Sequence, residues 1–277
     1  MGIGRKTVRG AATQVLALKI YVKQKIHPLL VKDGQVIPDE VEGVPTDVEE
    51  AGEFSIWRPI PPIYQRKVRP AMGGISIGHY AITAGTLGCL VGDAGETFIL
   101  SNNHVLANEN RGAEGDPILQ PGRFDGGRPE KDVIGRLDTF VAVDPEEPNL
   151  VDSALAAPFD VRDVTPDILG IGRLRGTKEA DLEEKVMKSG RTTRRTDGTV
   201  LDVSATLRVG YQTGSYIFTD QMVIKGDRGA FSAGGDSGSA IVSFDGKAVG
   251  LLFAGSPFFT VANKMANVEK ALDVKVL

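Results

Sequence analysis

An all-β main domain, a barrel or a sandwich, is what this chain of 277 residues predicts. Two observations carry the prediction. From about residue 67 onward, short apolar runs alternate with Gly, Asp and Asn turns. Gly (34) and Pro (15) are also enriched over ordinary usage, as a turn-rich β protein requires. Along the chain, Ala81-Ile82-Thr83, Thr97–Leu100, Val133-Ile134-Gly135, Leu150–Ala156, Met222-Val223-Ile224 and Ala240–Val242 read as strands. Only Asn263–Leu272 has helical spacing, with Met265, Val268 and Leu272 on one stripe.

Residues 1–66 differ in character. Val15–Lys23 (VLALKIYVK) alternates as a half-buried strand, with Leu16, Leu18, Ile20 and Val22 on one side. Ile37–Val41 reads as a turn or helical start, and Val44–Phe54 as another extended stretch. Ile56–Pro70 contains four prolines, which cannot donate to a sheet ladder, so it reads as a linker. A small α+β appendage is therefore expected at 1–66, and the main domain at 67–277.

Composition excludes several function classes. Apolar residues make up 41% and charged residues 25%, the balance of a soluble protein with its own core. Lys and Arg number 32 against 36 Asp and Glu, so no dominant basic footprint marks a nucleic-acid partner. The single Cys89 cannot form an internal disulfide, which points to a reducing compartment. Near the N-terminus, the apolar run Val15–Leu18 is cut short by Lys19, unlike a secretory signal. The uncharged stretch Pro70–Gly92 is broken by six glycines into strand-like pieces, so no membrane span is expected. The expected compartment is the cytoplasm.

Three segments carry chemistry: Leu100-Ser101-Asn102-Asn103-His104-Val105-Leu106, Asn149-Leu150-Val151-Asp152-Ser153-Ala154, and Gly234-Gly235-Asp236-Ser237-Gly238-Ser239-Ala240. A serine hydroxyl is a poor nucleophile at neutral pH unless an imidazole takes its proton. The imidazole in turn needs a buried carboxylate to fix its tautomer and stabilise its charged form. Gly-Asp-Ser-Gly gives a backbone that turns tightly enough to aim two N–H groups, those of Gly235 and Ser237, at one developing oxyanion.

In the order His, Asp, Ser, these segments resemble the chymotrypsin-like (trypsin-fold) serine proteases. Ser-Asn-Asn-His-Val-Leu-Ala together with Gly-Asp-Ser-Gly-Ser is similar to bacterial cytosolic members related to plant narrow-leaf-type proteases. Lys188-Ser189-Gly190-Arg191-Thr192-Thr193 looks like the strand region of α-lytic-type enzymes. The resemblance spans roughly residues 70–262. It implies two antiparallel six-stranded β-barrels, at about 70–160 and 165–262, followed by the C-terminal helix, with a cleft between them. It implies His104 as general base and acid, Asp152 as its orienting carboxylate and Ser237 as nucleophile. No cofactor or metal is implied, and the partner is a protein or peptide substrate.

The chain also departs from the family pattern. Ser239 stands where a second glycine is usual. Phe253 stands where the family often places a serine near the buried carboxylate, so Asp152 is expected to lose one hydrogen-bond partner. Asp236 needs a cation if it is buried. Lys188 first and Arg191 second are the expected partners, and cleavage after Arg69 is the competing route. By the same counting Phe231 sits at the base of the specificity pocket and Gly255 lines its wall, which predicts small or medium apolar side chains before the cut. His27 and His79 lack catalytic partners and read as ordinary.

The function expected is therefore a serine endopeptidase. A catalytically silent peptide-binding or scaffold protein on the same fold is the alternative, and an esterase is a third reading. Homo-oligomers are expected from exposed strands in the appendage.

Overall fold

The computed structural model describes residues 1–8, 10–27, 30–32, 34–51 and 62–277. The chain divides into two compact units, Met1–Ile60 and Pro61–Leu277. Residues 56–61 of the expected linker, and 52–54 of the extended stretch at Val44–Phe54, lie outside the described residues.

The first unit carries a sheet in the order Gly2–Val8, Ala11–Val22, Val44–Glu50, Glu40–Val41. Ala11–Val22 runs antiparallel to the first strand and parallel to Val44–Glu50. Leu18, Ile20 and Val22 are half-buried as their alternation predicts. Leu16 is exposed, and Ala17 on the opposite side is the strand's buried residue. Of the expected α+β appendage, the described residues contain the β part, and Ile37–Val41 ends in the short strand Glu40–Val41.

The second unit holds two antiparallel barrel sheets. The first is ordered Lys275–Val276, Cys89–Asp93, Glu96–Ser101, Ala154–Pro158, Val133–Phe140, Pro117–Leu119, Ser76–His79, Gly85–Thr86. Its interior is apolar, including Ile75, Ile77, Leu90, Ile99 and Leu137. The second is a closed barrel of Lys185–Gly190, Arg194–Tyr211, Gly214–Gly226, Thr260–Lys264, Ala248–Gly255 and Ala240–Ser243. Val186, Val200, Met222, Ile224 and Leu252 fill it. A third cluster, including Val91, Leu100, Leu155 and Leu251, joins the two barrels to the helix Met265–Leu272 through Met265 and Val268. Fully burying each such side chain stabilises by about 1.5–3 kcal/mol, which is what fixes the barrels around their shared cleft. The fold is all-β with one C-terminal helix.

Two expected strands are corrected. Ala81-Ile82-Thr83 is a turn between Ser76–His79 and Gly85–Thr86, where the chain reverses after the Tyr80 amide bonds the Pro117 carbonyl. Leu150–Ser153 is irregular, and its strand begins only at Ala154. That irregularity lets Asp152 leave the ladder and point at His104. Cys89 is a free, buried cysteine whose thiol burial pushes up to about 12, so it stays protonated and inert.

Candidate active site

His104 is set by the turn at the end of the strand Glu96–Ser101. The chain passes through Asn102 into the short helix Asn103–Leu106, whose Val105 and Leu106 amides bond the Asn102 carbonyl. Asn103 holds that turn with side-chain hydrogen bonds to the Val141 carbonyl (2.7 Å) and Asn110 (2.6 Å). Past the helix, Asn108, Glu109 and Asn110 are all left-handed, at φ 49°, 54° and 67°. Such conformations cost non-glycine residues about 1–2 kcal/mol each. The Asn103 carboxamide oxygen accepting from the Asn110 amide (3.0 Å) and Val143 donating to the Asn110 side chain (2.9 Å) hold them there.

Asp152 is wholly buried, and its Oδ2 lies 2.5 Å from His104 Nδ1. The His104 amide reaches its other oxygen at 3.3 Å. Asn102 Nδ2 donates to the Asp152 carbonyl (2.7 Å), and the Asp152 amide donates to Asn263 Oδ1 (3.0 Å). The carboxylate therefore has a fixed backbone and a fixed direction. Burial pushes the Asp152 carboxyl up, but the His104 charge and the hydrogen bonds from His104 and Tyr211 outweigh it and hold the group below its ordinary value. Burial likewise opposes protonation of His104, yet the Asp152 charge and hydrogen bond leave it above its ordinary value near 6.5.

The hydroxyl missing at Phe253 is supplied from elsewhere. Tyr211 Oη donates to Asp152 Oδ2 at 2.6 Å. Burial and the neighbouring carboxylate raise the phenol well above its ordinary value, so it remains a donor. Asp152 thus keeps the partner that Phe253 was expected to remove. No sequence signal marked Tyr211, which reaches the site only because a long hairpin brings it there.

Ser237 sits on a loop locked from both barrels. Gly238 N–H donates to the Leu252 carbonyl (2.8 Å), while Thr86 from the first barrel donates its amide to the Ser237 carbonyl (2.8 Å) and its hydroxyl to the Gly235 carbonyl (2.8 Å). Gly235 (φ 94°) and Gly238 (φ 95°) are both left-handed, and a Cβ at Gly238 would meet Ser101 Oγ at 2.1 Å and the Thr86 carbonyl at 2.2 Å. Ser239 fits in the usual glycine's place and donates its hydroxyl to the Asp236 carbonyl (2.6 Å). Among the described residues neither the Gly235 nor the Ser237 amide donates a hydrogen bond to another protein group. Ser237 Oγ donates to the Phe253 carbonyl at 3.4 Å. His104 and Ser237 line one hollow of about 370 Å³, and His104 also borders a second of about 740 Å³.

Asp236, the carboxylate beside Ser237, has an internal cation. Lys188 Nζ lies 3.4 Å from Asp236 Oδ2, with both side chains wholly buried. Thr193 bridges them, accepting from Lys188 and donating to Asp236 Oδ2 at 2.6 Å. The amides of Thr192 (2.8 Å), Thr193 (3.1 Å) and Ala233 (3.0 Å) complete the carboxylate's shell. Arg191 does not share this role, correcting the second expected partner. Its guanidinium pairs with Asp125 from the first barrel (Nε to Oδ2, 2.7 Å) and packs 5.2 Å from the Phe124 ring.

Phe231 is likewise corrected. It is buried in the core of the second barrel against Gly198, with the Lys188 ammonium 5.9 Å from its ring, and is not among the side chains lining either hollow. Gly255 does line the larger hollow, whose apolar wall comes from Val223, Phe253, Phe259 and Val261. Behind Gly255 lie Ser232 and Thr260, hydrogen-bonded to each other at 2.6 Å. His79 bonds Asp116 (3.0 Å) and accepts from the Ala81 amide (3.1 Å), a structural arrangement in the first barrel. Among the described residues no cluster of three or more His, Cys, Asp or Glu side chains could hold a metal ion. No helix among them is long and apolar enough to cross a membrane.

Comparison with solved structures decides the fold. The chain superposes on a glutamic-acid-specific serine protease with a TM-score of 0.55, at 20% identity, over 75% of this chain and 100% of that one. Thermobifida fusca protease A gives 0.55 at 18% identity, and Cellulomonas bogoriensis chymotrypsin 0.53 at 18%, each over 74% of this chain and 97% of its own. The fold is that of the chymotrypsin-like serine proteases. A family model described as the Nal1 C-terminal domain matches residues 135–267. The protein NARROW LEAF 1 of Oryza sativa subsp. japonica is 27% identical over 304 residues, covering 92% of this chain. The chain spans about half the length (50%) of that curated relative.

Proposed function

We propose that this protein is a serine endopeptidase acting through Ser237, His104 and Asp152. The observation that carries the reading is the buried Asp152 carboxylate held 2.5 Å from His104 Nδ1, which leaves Nε2 for the cleft that also holds Ser237. Nδ1–H donates to Asp152, so Nε2 is the free base. As Ser237 Oγ attacks a substrate carbonyl carbon, Nε2 takes its proton and the new oxyanion accepts from the Gly235 and Ser237 amides. Nε2–H then protonates the leaving amine, the carbon–nitrogen bond breaks, and an acyl-enzyme remains. Water, deprotonated by His104, releases the acid and restores Ser237.

The apolar wall around Gly255 favours small or medium apolar side chains before the cut. Neither a metal nor a cofactor takes part in this reading. Its setting is a cytoplasmic protein, in bacteria by the resemblance, that acts on protein or peptide substrates and forms homo-oligomers.

One observation favours a second reading, a peptide-binding scaffold without turnover. The Ser237 hydroxyl is engaged with the Phe253 carbonyl and not with His104. Catalytic hydrogen bonds are often unformed before substrate binds, so the first reading is preferred. A fluorophosphonate probe tests it directly. Labelling of the parent protein, abolished in Ser237→Ala, supports the protease. Equal absence of labelling in both supports the scaffold.

A further inference from the structure

The hairpin Arg194–Tyr211/Gly214–Gly226, with strands of 18 and 13 residues, outruns the barrel it belongs to. Its first strand pairs with Lys185–Gly190 only through residues Arg194–Thr199, and its second pairs with Thr260–Lys264 only through Gln221–Ile224. Beyond that the two strands pair with each other, after register breaks between Val200 and Leu207, and with one outside residue, Asn149, bridged to Phe218. A bare two-stranded ribbon is marginally stable in water, so its tip needs anchors.

Three anchors are present: Asn149 and Glu109 hold the arm from the half of the site that carries His104 and Asp152, and an aromatic stack seats it on Phe253 of its own barrel. The Asn149 amide donates to the Ile217 carbonyl, and the Thr219 amide to the Asn149 carbonyl, each at 2.9 Å. The rings of Tyr211 and Phe218 stack at 6.0 Å, and Phe218 lies 4.7 Å from Phe253. At the very tip, Glu109 accepts the amides of Gln212 (3.2 Å) and Thr213 (3.1 Å) and the Thr213 hydroxyl (2.9 Å). Glu109 is the middle of the left-handed run after the His104 helix, so the strained turn next to the base also grips the arm. The anchored tip delivers the Tyr211 hydroxyl to Asp152 Oδ2, the same oxygen that faces His104.

We propose that Tyr211 is a positioning residue for the His104–Asp152 pair, carried across the cleft by this arm, and that Glu109 is the clamp that sets its reach. The proposal rests on the serine-protease reading above. Two donors on one carboxylate oxygen restrict its rotation and share its charge. With the Tyr211 donor gone, the carboxylate turns more freely and its charge falls wholly on His104. The imidazole is then less well aimed at Ser237 and its protonated form is held more tightly.

Two readouts separate positioning from mere structure. Tyr211→Phe keeps the ring, its stacking and every formal charge. Against an oligoalanine p-nitroanilide, kcat should fall about ten- to a hundredfold while KM stays near the parent value, the loss of one hydrogen bond to a charged group. In a Ser237→Ala background, the His104 titration followed by proton NMR should move to higher pH. The charged groups facing His104 are Asp152 and Glu109, with Arg111 3.9 Å from Glu109, while Arg208 lines the larger hollow.

Because Glu109→Ala deletes one of these charges, it is judged by kcat and not by titration. It should lower kcat, and the double variant Tyr211→Phe/Glu109→Ala should be no worse than about the Tyr211→Phe single. A Tyr211→Phe protein with parental kcat and an unmoved His104 titration would overturn the positioning role. Fully multiplicative losses in the double variant would overturn the clamp. A parent protein that neither cleaves nor labels defeats the protease reading instead, while the titration still reports whether Tyr211 governs His104.

Discussion

Replacing Lys188 with Met strands Asp236, the carboxylate beside Ser237. Both members of the Lys188–Asp236 pair are wholly buried and lie 3.4 Å apart. A methionine keeps most of the stem's volume and its packing against Phe231, so the change removes charge and hydrogen bonds without opening much of a cavity. Breaking one side of a buried pair costs about 3–5 kcal/mol. Asp236 retains the amides of Thr192, Thr193 and Ala233 and the Thr193 hydroxyl, which places the loss near the lower end, about 3 kcal/mol. In a unit of this size each kcal/mol lowers Tm by about 2–4 °C, so a fall of about 6–12 °C is expected. Urea and thermal unfolding at neutral pH measure it, and fluorophosphonate labelling at 25 °C reads the loop itself. Lys188→Met/Asp236→Asn, which removes both charges, should recover part of the stability, since the new carboxamide nitrogen then faces a backbone N–H that donated to the carboxylate. A Lys188→Met protein that melts and labels like its parent would refute the reasoning. The backbone and hydroxyl donors would then neutralise Asp236 unaided.

The same geometry fixes the sign of several other outcomes. Since His104 is held above 6.5, kcat/KM should rise with pH through a midpoint above that value, as neutral imidazole becomes available; a midpoint below it contradicts the Asp152 pairing. The stability sign is the reverse: a histidine raised in the folded state stabilises fully below its unfolded pKa and loses that contribution as pH rises through the folded value. His104→Gln should therefore cost more stability at about pH 5.5 than at about pH 8.5, measured by urea unfolding. Gly238→Ala should abolish labelling, because its Cβ would fall within 2.2 Å of both Thr86 and Ser101; parental labelling would show that the loop moves freely. Asp125→Ala should cost about 3 kcal/mol or more by leaving the buried Arg191 guanidinium uncompensated, and should slow labelling because that guanidinium lies against Gly235.

The barrels were legible because their signal is local: turn residues between short apolar runs, with a helix-spaced stripe at Met265 and Val268 that both prove fully buried. That His104, Asp152 and Ser237 belong together was signalled by the resemblance of their three segments; the structure pairs His104 with Asp152 and sets His104 and Ser237 on one hollow. The partner of Asp236 was half legible. In a strand, residues one and two positions apart face opposite and like sides, so Lys188 shares a side with Val186, which lies in the core of the second barrel. Arg191 lies past the strand's end at Gly190, in the turn before Arg194, and its guanidinium goes to Asp125 of the first barrel. The expectation ranked Lys188 first and Arg191 second, and only Lys188 pairs with Asp236. Phe231 failed for a different reason. Counting back from Ser237 fixes its place on the chain but not which way the segment faces, and the ring turns inward to the barrel core.

Phe253 shows how a donor lost locally is restored from a distance. A phenylalanine where a serine donor is usual reads as a loss for Asp152, yet the ring creates the means of replacing what it removes. Phe253 packs on Phe218, and Phe218 stacks on Tyr211, so the aromatic side chain at 253 is part of the platform that aims the Tyr211 hydroxyl. The donor now comes from 59 residues beyond its acceptor, on an arm whose length and register breaks decide whether it arrives. Neither composition nor local spacing encodes that delivery. It depends on the sum of several weak anchors, from Asn149, Glu109 and the stacked rings, each modest alone and effective because they constrain the same tip. A site built this way ties the geometry of Asp152 to the hairpin that also walls the larger hollow, through Arg208 and Tyr211.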